Sequence, residues 1–202
     1  PLPEPMKGGF SIDQSVFVDD DGTQYLYWGG IWGGQLQRYK TGKYENNDDL
    51  RQPDEPALCA KVAKLADSMT EFGEEPHDVV ILDAYGKPLL TKDENRRFFE
   101  APWMHKYNGK YYFSYSTGNT HLLCYAVGDN PYGPFTYQGV ILTPVVGWTT
   151  HHSIVEYKGK WYLFHHDSKV SGGKTWLRSM KIVELNYNPD GTIVTIDGNA
   201  DE

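Results

Sequence analysis

Residues 98–118, which read FFEAPWMHKYNGKYYFSYSTG, decide the fold of this chain. At their centre is Asn108-Gly109, a dipeptide that strongly favours a two-residue β-hairpin turn. Residues 103–107 before this turn and residues 110–116 after it are rich in aromatic side chains, which strands favour. The stretch therefore predicts an antiparallel hairpin, and the rest of the chain can be compared with it.

A single carboxylate, Glu100, precedes this hairpin among the large rings of Phe98, Phe99 and Trp103. A carboxylate packed against apolar rings is poorly solvated, which disfavours its charged form and raises its pKa. A raised pKa of this kind suits a general acid near neutral pH. The pattern leaves two interpretations open: Glu100 leads an inner strand into a cleft, or it simply opens a strand on the surface.

The composition restricts the class of protein. With 202 residues the chain is long enough for one domain or for part of a larger one. Fifteen tyrosines, six tryptophans and frequent Gly and Pro punctuation favour an all-β protein over a helical one. A net charge of −8 without a basic cluster argues against nucleic acid and anionic membranes as partners. No apolar run approaches the roughly 18 residues of a membrane span.

Three similar cores recur along the chain: GTQYLYWGG from Gly22, GKYYFSYST from Gly109 and GKWYLFHHD from Gly159. The last two begin 50 residues apart, and each core is flanked by further short strands. A unit of roughly 40 to 50 residues with four short strands is typical of a propeller blade. Because propellers need about four blades to close a ring, the sequence predicts an all-β propeller with about three blades present. A β-sandwich with repeated hairpins is the alternative.

The segments between the cores give weaker signals. Residues 34–39 are predicted as a third strand of the first repeat, and residues 56–66 weakly favour a short helix. Residues 77–83 are predicted as an edge strand before the charged approach to Glu100.

The first strand of each repeat begins with a polar side chain. Asp13 stands in SIDQSVF, Glu100 in FFEAPWM, and His151 or His152 in TTHHSIV. Because the innermost strand of every blade lies at the central channel of a propeller, these side chains are expected to converge there. Taken singly, Asp13 is equally suited to cap a turn, and His151 to be a hydrogen-bonded core histidine.

The residue types at these positions suit a sugar. Aromatic faces stack against sugar rings, and paired carboxylates divide the acid and base work of glycoside hydrolysis. The nucleophile motif GxSxG, a phosphate-binding glycine loop and the zinc motif HExxH are all absent from the sequence.

Three segments carry a resemblance to a known family: SIDQSVFVDDDGTQYLYWGG, FFEAPWMHKYNGKYYFSYSTGN, and HHSIVEYKGKWYLFHHD with the following LRSMKIVELNYNPDGTI. They closely resemble glycoside hydrolase family 43, whose members are five-bladed β-propellers and include β-xylosidases, α-L-arabinofuranosidases and arabinanases. The resemblance implies a glycosidase that acts with inversion on arabinose- or xylose-containing plant oligosaccharides or polysaccharides. It implies no organic cofactor.

The resemblance also assigns roles to individual residues. Glu100 is similar to the general acid that protonates the departing oxygen, and Asp13 to the carboxylate that raises the pKa of that acid. His151, rather than His152, matches a channel histidine that helps to hold a cation, expected to be calcium, or a water cluster. Arg178 resembles an arginine of the sugar-binding subsite. Three rings are expected either to wall the sugar site or to pack between blades: Trp28, Phe99 and Trp103.

One family feature has no counterpart in the sequence. The family uses a further aspartate, near the start of its first blade, as the general base, and no matching segment is found. The resemblance therefore predicts that residues 1–202 are a partial catalytic domain without its amino-terminal blades. We expect these blades, or another chain, to close the ring and to supply the base.

Two other functions stay open. A carbohydrate-binding propeller without catalysis would retain the aromatic cleft and the cation site. An invertase-like hydrolase shares the fold, but its surrounding motifs are not found in the sequence. The polymeric substrates lead us to expect a secreted or periplasmic protein, with an intracellular location as the alternative.

Overall fold

The structure is a computed structural model that describes residues 12–30, 36–148 and 151–200. These residues form β-strands and two short 3-10 helices but no α-helix. Within the same ranges, no helix has the length and apolar character needed to cross a membrane. The strands make three sheets that follow one another along the chain.

The first sheet has the strand order β1-β2-β3-β4. Its hairpin joins β1 to β2 through the acidic turn at residues 19–22, where the Gly22 amide donates to the Asp19 carbonyl over 2.9 Å. The first of the three repeated cores, GTQYLYWGG, thus supplies the second strand of this hairpin. The strands are β1 Ser15–Val18, β2 Gln24–Trp28, β3 Lys61–Lys64 and β4 His77–Asp78.

The second sheet has the order β5-β9-β8-β7-β6 and contains the hairpin with which the sequence analysis began. Asn108 and Gly109 have φ angles of 48° and 74°, as a type I′ turn requires, so the predicted turn is confirmed. The strands are β5 Ile81–Leu82, β6 Glu100–Tyr107, β7 Lys110–Ser116, β8 Leu123–Gly128 and β9 Phe135–Leu142.

The third sheet is a three-stranded antiparallel meander, β10-β11-β12. Its strands are β10 Ser153–Tyr157, β11 Lys160–Asp167 and β12 Ser179–Leu185. The three repeated cores identified in the sequence occupy β2, β7 and β11, which is the second strand of the hairpin in each sheet.

Two predicted elements were wrong because they depend on contacts distant in sequence. Residues 36–39 of the predicted third strand form a 3-10 helix instead, while residues 34 and 35 lie outside the described residues. The buried Gln37 side chain holds this helix by donating to the Pro56 carbonyl and accepting from the Leu58 amide, over 3.3 and 3.2 Å. These polar contacts replace the strand pairing that the sequence pattern favoured.

The predicted helix at residues 56–66 is replaced by β3, which pairs antiparallel with β2. Alanine-rich residues allow a helix, but the edge of β2 supplies hydrogen bonds that an isolated short helix cannot match. The predicted edge strand at residues 77–83 is split into β4 and β5, which join different sheets.

The first strands of the three repeated hairpins, β1, β6 and β10, lie side by side. The Ser15 hydroxyl of β1 donates to the Pro102 carbonyl of β6 over 2.7 Å. The Trp103 indole of β6 donates to the Ile154 carbonyl of β10 over 3.1 Å. Two hydrophobic clusters fill the spaces on either side of the second sheet. The sheets are thus successive blades, and the predicted all-β propeller with about three blades is confirmed.

Candidate active site

Glu100 stands at the first position of β6, where the strand is irregular. The pairing with β7 shifts register between Glu100 and Trp103, and Ala101 has a positive φ of 58°. Bulges of this kind redirect side chains and are frequent beside active sites. Gly30, two residues after β2, lies close to the base of this side chain, because a Cβ placed there would be 3.1 Å from the Glu100 Cβ.

Asp13 lies two residues before β1 and also has a left-handed backbone, with a φ of 59°. Its Oδ2 accepts a hydrogen bond of 3.2 Å from the Ala101 amide, directly beside Glu100. This bond ties the start of the first blade to the bulge in the second blade.

His151 completes the cluster from the third blade. Its Nε2 lies 3.2 Å from the Asp13 Oδ2. Ligand atoms of Asp13, Glu100 and His151 all lie within 4.8 Å of one another. The structure thus brings together the leading polar residues of the three first strands.

The environment of Glu100 favours its protonated form. Burial raises the pKa of the Glu100 carboxyl to about 7, and the negative charge of Asp13 acts in the same direction. The charges of His151 and Arg178 oppose this rise. A carboxyl with this pKa is about half protonated near neutral pH, so it can donate a proton to a leaving group.

His151 has the opposite tendency. Its hydrogen bond to Asp13 raises the pKa of the imidazole, although burial acts against the rise. The hydrogen bond holds the Asp13 and His151 side chains in place beside Glu100.

His152 occupies a different environment from its neighbour. It is half-buried, and its Nε2 lies 2.6 Å from the Ser114 hydroxyl of β7. Burial lowers the pKa of His152 to about 3, so this side chain is neutral. The two adjacent histidines therefore have different environments. His151 lies beside the carboxylates, and His152 packs between the second and third blades.

Arg178, predicted to lie at a sugar subsite, is exposed just before β12. Its Nε donates to the Thr175 carbonyl over 3.1 Å, which fixes the start of the side chain against its own loop. Its charge lowers the pKa values of both Glu100 and His151, so the guanidinium lies within electrostatic reach of the cluster.

The three predicted aromatic walls all take part in packing. Trp28 is 3% exposed and stacks on Phe72 with ring centroids 5.1 Å apart. Phe99 is buried against Gly118, where an added Cβ would lie 2.6 Å from the ring. Trp103 bridges the second and third blades through its indole nitrogen. Of the two roles that the sequence left open, the described contacts favour packing, which is between blades for Trp103 and within one blade for Trp28 and Phe99.

Sequence reasoning missed His166 near the end of β11. Its Nε2 accepts a hydrogen bond of 3.2 Å from the His151 amide. Burial lowers the pKa of His166 to about 4, so the ring is neutral and can accept this bond. A signal was present, because in an antiparallel hairpin the end of the second strand returns to the start of the first. His166 lies near the end of the third core, GKWYLFHHD, and Gly30 lies at the end of the first core, GTQYLYWGG.

The three converging residues do not by themselves fit a calcium ion. They offer two carboxylates and one imidazole, whereas Ca²⁺ takes six to eight oxygen ligands. A dication at this point would also favour the ionised form of Glu100, contrary to the protonation that its burial promotes. The described residues suit proton sharing better than metal binding.

Comparisons with known proteins identify the family of the chain. The family model for glycosyl hydrolases family 43 matches residues 1–193. The chain is 67% identical over 198 residues to a xylosidase/arabinosidase of Bacteroides ovatus. The matched stretch covers 98% of this chain and 61% of that protein. It is 63% identical to a β-xylosidase of Xylanibacter ruminicola, with 97% and 61% of the two chains covered.

The similarity extends to solved structures. A family 43 β-xylosidase/α-arabinofuranosidase from a compost microbial metagenome, in complex with xylotriose and in a calcium-free form, superposes with a TM-score of 0.88 at 60% identity. That match covers 100% of this chain and 62% of the other. The chain thus spans about three fifths of the length of the relatives that it matches. Its sequence, its blades and its matched length show that it belongs to family 43 of the glycosyl hydrolases.

Proposed function

We propose that residues 1–202 are part of a catalytic domain that hydrolyses xylose- or arabinose-containing plant oligosaccharides and polysaccharides. One observation carries the proposal: burial and Asp13 raise the pKa of Glu100 to about 7. The printed names of the relatives, xylosidase/arabinosidase and β-xylosidase, support this class of substrate.

In the proposed reaction Glu100 donates its proton to the glycosidic oxygen as the bond from that oxygen to the anomeric carbon breaks. A water molecule attacks the anomeric carbon from the opposite face, and a second carboxylate takes the proton of this water. Asp13, held by Ala101 and His151, keeps Glu100 protonated until the sugar arrives. For inversion the acid and the base stand about 6.5 to 9.5 Å apart, which is farther than the contact between Asp13 and Glu100.

We propose that the base and the closing blades belong to the part of the relatives that this chain does not match. Apolar side chains support this, because they are exposed on both outer sheets. Val16 and Val18 of β1 are 44% and 57% exposed, and Met180 and Ile182 of β12 are 71% and 53% exposed. Exposed apolar faces on adjacent strands are typical of interfaces. Alternatively, another chain packs on these exposed apolar faces and closes the ring.

Hydrolysis of nitrophenyl β-D-xyloside and nitrophenyl α-L-arabinofuranoside tests the proposal. The 202-residue chain is assayed alone and joined to the unmatched segment of the Bacteroides ovatus relative. We expect the joined protein to be active and the chain alone to be inactive. In the joined protein, Glu100→Gln is expected to reduce kcat by about 10²- to 10⁴-fold, as loss of a positioned acid does. The ratio of the two activities separates a xylosidase from an arabinofuranosidase.

A folded joined protein that binds xylo-oligosaccharides but hydrolyses neither substrate would overturn the enzymatic proposal. That outcome would favour a carbohydrate-binding propeller, the second function that the sequence left open. Circular dichroism of the joined protein distinguishes this result from simple misfolding.

We propose calcium only as a structural ion near His151. Its further oxygen ligands would come from outside the described residues. The solved relative that holds xylotriose is in a calcium-free form, so a role for calcium in structure is proposed rather than one in catalysis. Thermal unfolding of the joined protein with and without calcium chloride tests the site. A calcium-dependent rise in Tm that disappears in His151→Ala supports it, and an unchanged Tm contradicts it.

We also propose that the protein is secreted or periplasmic, since polymeric substrates of this class do not enter a cell intact. Cell fractionation followed by the same hydrolysis assay tests the location. Activity confined to the cytoplasmic fraction would contradict it.

A further inference from the structure

The strand opposite the candidate acid carries a buried hydroxyl. Ser116 is the last residue of β7 and pairs directly with Glu100 of β6 in the antiparallel register. Ser116 is 0% exposed, and its Oγ has no hydrogen-bond partner among the described residues. Nearly all buried hydroxyls are hydrogen-bonded, because a buried polar group without a partner is destabilising. The hydroxyl therefore indicates a partner that it meets in another state of the site.

The register places this hydroxyl on the same face of the second sheet as the Glu100 side chain. Residues directly opposite one another in an antiparallel pair share a face. The neighbouring pair, Trp103 and Ser114, shows which face this is. The Trp103 indole donates to a carbonyl of β10, and the Ser114 Oγ lies 2.6 Å from the His152 Nε2. Because alternate residues of a strand share a face, Ser116 also faces the third blade, and Glu100 faces it too.

The hydrogen-bonding needs of Glu100 change during the proposed reaction. The protonated carboxyl donates its hydrogen, whereas the carboxylate that remains after proton transfer can only accept. The charged groups that act on it are Asp13 from the first blade, and His151 and Arg178 from the third. A buried carboxylate beside the negative charge of Asp13 is unfavourable. A hydroxyl that donates to this carboxylate offsets part of that cost.

We propose that Ser116 is a positioning residue for the acid, and that its hydroxyl donates a hydrogen bond to the Glu100 carboxylate as the proton leaves. The proton of Ser116 stays on its own oxygen, and the only proton transferred is that of Glu100. Directly opposite residues have Cβ atoms about 4.5 to 5.5 Å apart, so the two groups can meet directly or through one water molecule. The role in catalysis rests on the proposed function, whereas the hydrogen bond itself does not.

A carboxyl titration of the 202-residue chain tests the hydrogen bond without catalysis. NMR follows the side-chain carboxyl signal of Glu100, assigned with Glu100→Gln, as the pH is raised. A hydrogen bond to the ionised form favours that form. Ser116→Ala is therefore expected to raise the pKa of Glu100 by about 1 pH unit. Ser116→Thr keeps the hydroxyl and is expected to keep the pKa of the unsubstituted chain.

Ser114→Ala is the matched control. Ser114 lies on the same face of β7, but its hydroxyl is bonded to His152 and it stands opposite Trp103. Its removal is expected to lower the Tm, because the His152 Nε2 loses its partner, and to leave the pKa of Glu100 unchanged. Ser116→Ala is expected to leave the Tm at pH 5 unchanged or higher, since its hydroxyl has no partner while the acid is protonated. These opposite patterns separate positioning from simple packing.

Kinetics of the joined protein connect the hydrogen bond with the acid. The sugar that leaves from xylobiose is a poor leaving group that needs the proton of Glu100, whereas nitrophenol leaves with little help. Ser116→Ala is expected to reduce kcat for xylobiose about 10-fold and to reduce kcat for nitrophenyl β-D-xyloside less, with KM nearly unchanged for both. The high-pH limb of the kcat/KM profile is expected to move to higher pH.

An unchanged or lowered pKa of Glu100 in Ser116→Ala would overturn the proposal. An equal rise in Ser114→Ala or in Ser116→Thr would also overturn it, because the cause would then be a general loosening of β7. Should Ser116→Thr fail to fold, the two alanine variants still decide the outcome. The two proposals fail separately: a raised pKa in an inactive joined protein would keep the hydrogen bond and remove the catalytic role, whereas an active joined protein with an unmoved pKa would remove the role of Ser116 alone.

Discussion

The second and third sheets carry similar strands in different environments. In β7 every residue from Tyr111 to Ser116 is buried, whereas β12 alternates between covered and exposed side chains, with Met180 71% exposed. Both strands offer aromatic or aliphatic side chains on both faces. The second sheet lies between two hydrophobic clusters, and the third packs against only one of them. The burial of a blade is therefore set by its neighbours more than by its own sequence.

This difference extends into the candidate catalytic cluster of Asp13, Glu100 and His151. Glu100 belongs to the enclosed second sheet, while His151 and Arg178 come from the third sheet, where one face is exposed. Glu100 thus stands on the enclosed sheet, whereas two of the groups that influence its charge, His151 and Arg178, stand on the less covered blade. The third group, Asp13, precedes β1 of the first sheet. Comparing the two sheets experimentally tests how far the site depends on blades outside this chain.

The largest expected difference comes from truncating one phenylalanine in each sheet. Phe113 of β7 is fully buried, with the ring centroids of Phe135 and Tyr27 at 5.5 and 6.0 Å. Phe113→Ala is expected to lower the free energy of unfolding by about 3 to 5 kcal/mol, because it leaves a cavity. Phe164→Ala in the half-buried face of β11 is expected to lower it by less, about 1 kcal/mol, since the ring is only partly enclosed.

Urea denaturation followed by circular dichroism measures both values in the chain alone. Equal losses in the two variants would contradict the comparison, because they would mean that the outer face of the third sheet is covered in solution. The m-values test this explanation, because the m-value scales with the surface area that becomes exposed on unfolding.

The next effect concerns the stability of the enclosed acid. The pKa of Glu100 is raised to about 7 in the folded chain. Below the unfolded value of about 4.5 both states are protonated, so the carboxyl has no cost. Between that value and 7 the unfolded state loses its proton first, and the folded state becomes progressively less stable.

Glu100→Gln removes this titration. It is expected to raise the free energy of unfolding above pH 7 by up to about 3 kcal/mol, and to leave it nearly unchanged at pH 4. Thermal unfolding from pH 4 to 9 measures the difference. A stabilisation that is the same at all pH values would show that the carboxyl is not the cause.

A smaller effect concerns the influence of the first blade on this acid. Asp13→Asn removes the negative charge that, after burial, raises the pKa of Glu100. Activity needs the protonated acid and is lost as the pH rises through its pKa. The high-pH limb of the kcat/KM profile of the joined protein is therefore expected to move to lower pH. Asp21→Asn, in the exposed turn after β1, is the control, and an unmoved limb in Asp13→Asn would contradict the role of the first blade.

Much of the fold could be predicted because its signals are local. The turn at Asn108-Gly109 and the three repeated cores depend on neighbouring residues, so the hairpins were found at nearly their correct bounds. β3 and the 3-10 helix at Leu36–Tyr39 were missed because distant contacts determine them. β3 forms because it pairs with the edge of β2. The 3-10 helix forms because the side-chain amide of Gln37 donates to the Pro56 carbonyl.

The candidate site shows the same division. Asp13, Glu100 and His151 were found because each leads a first strand, and position in a repeat is visible in the sequence. The hydrogen bond from the His151 amide to His166, and the packing of Trp28 on Phe72, were not predicted. Both depend on how one blade is placed against another segment, which a single sequence does not specify.

The smallest expected effect separates the two faces of one strand. Ile182 of β12 is 53% exposed, while its neighbour Val183 packs against the cluster below the third sheet. Replacing either by Thr keeps a β-branched side chain, so strand propensity changes little. In the chain alone, Ile182→Thr is expected to change the free energy of unfolding by less than about 0.5 kcal/mol, and Val183→Thr to lower it by about 1 kcal/mol or more.

The same pair of variants in the joined protein tests what covers the third sheet. If the added segment packs on the outer face, Ile182 becomes enclosed, and Ile182→Thr is then expected to cost about as much as Val183→Thr. A cost for Ile182→Thr that stays small after joining would mean that the segment leaves this face open. The third blade would then require another chain for its cover, and the position of His151 beside Glu100 would depend on that chain.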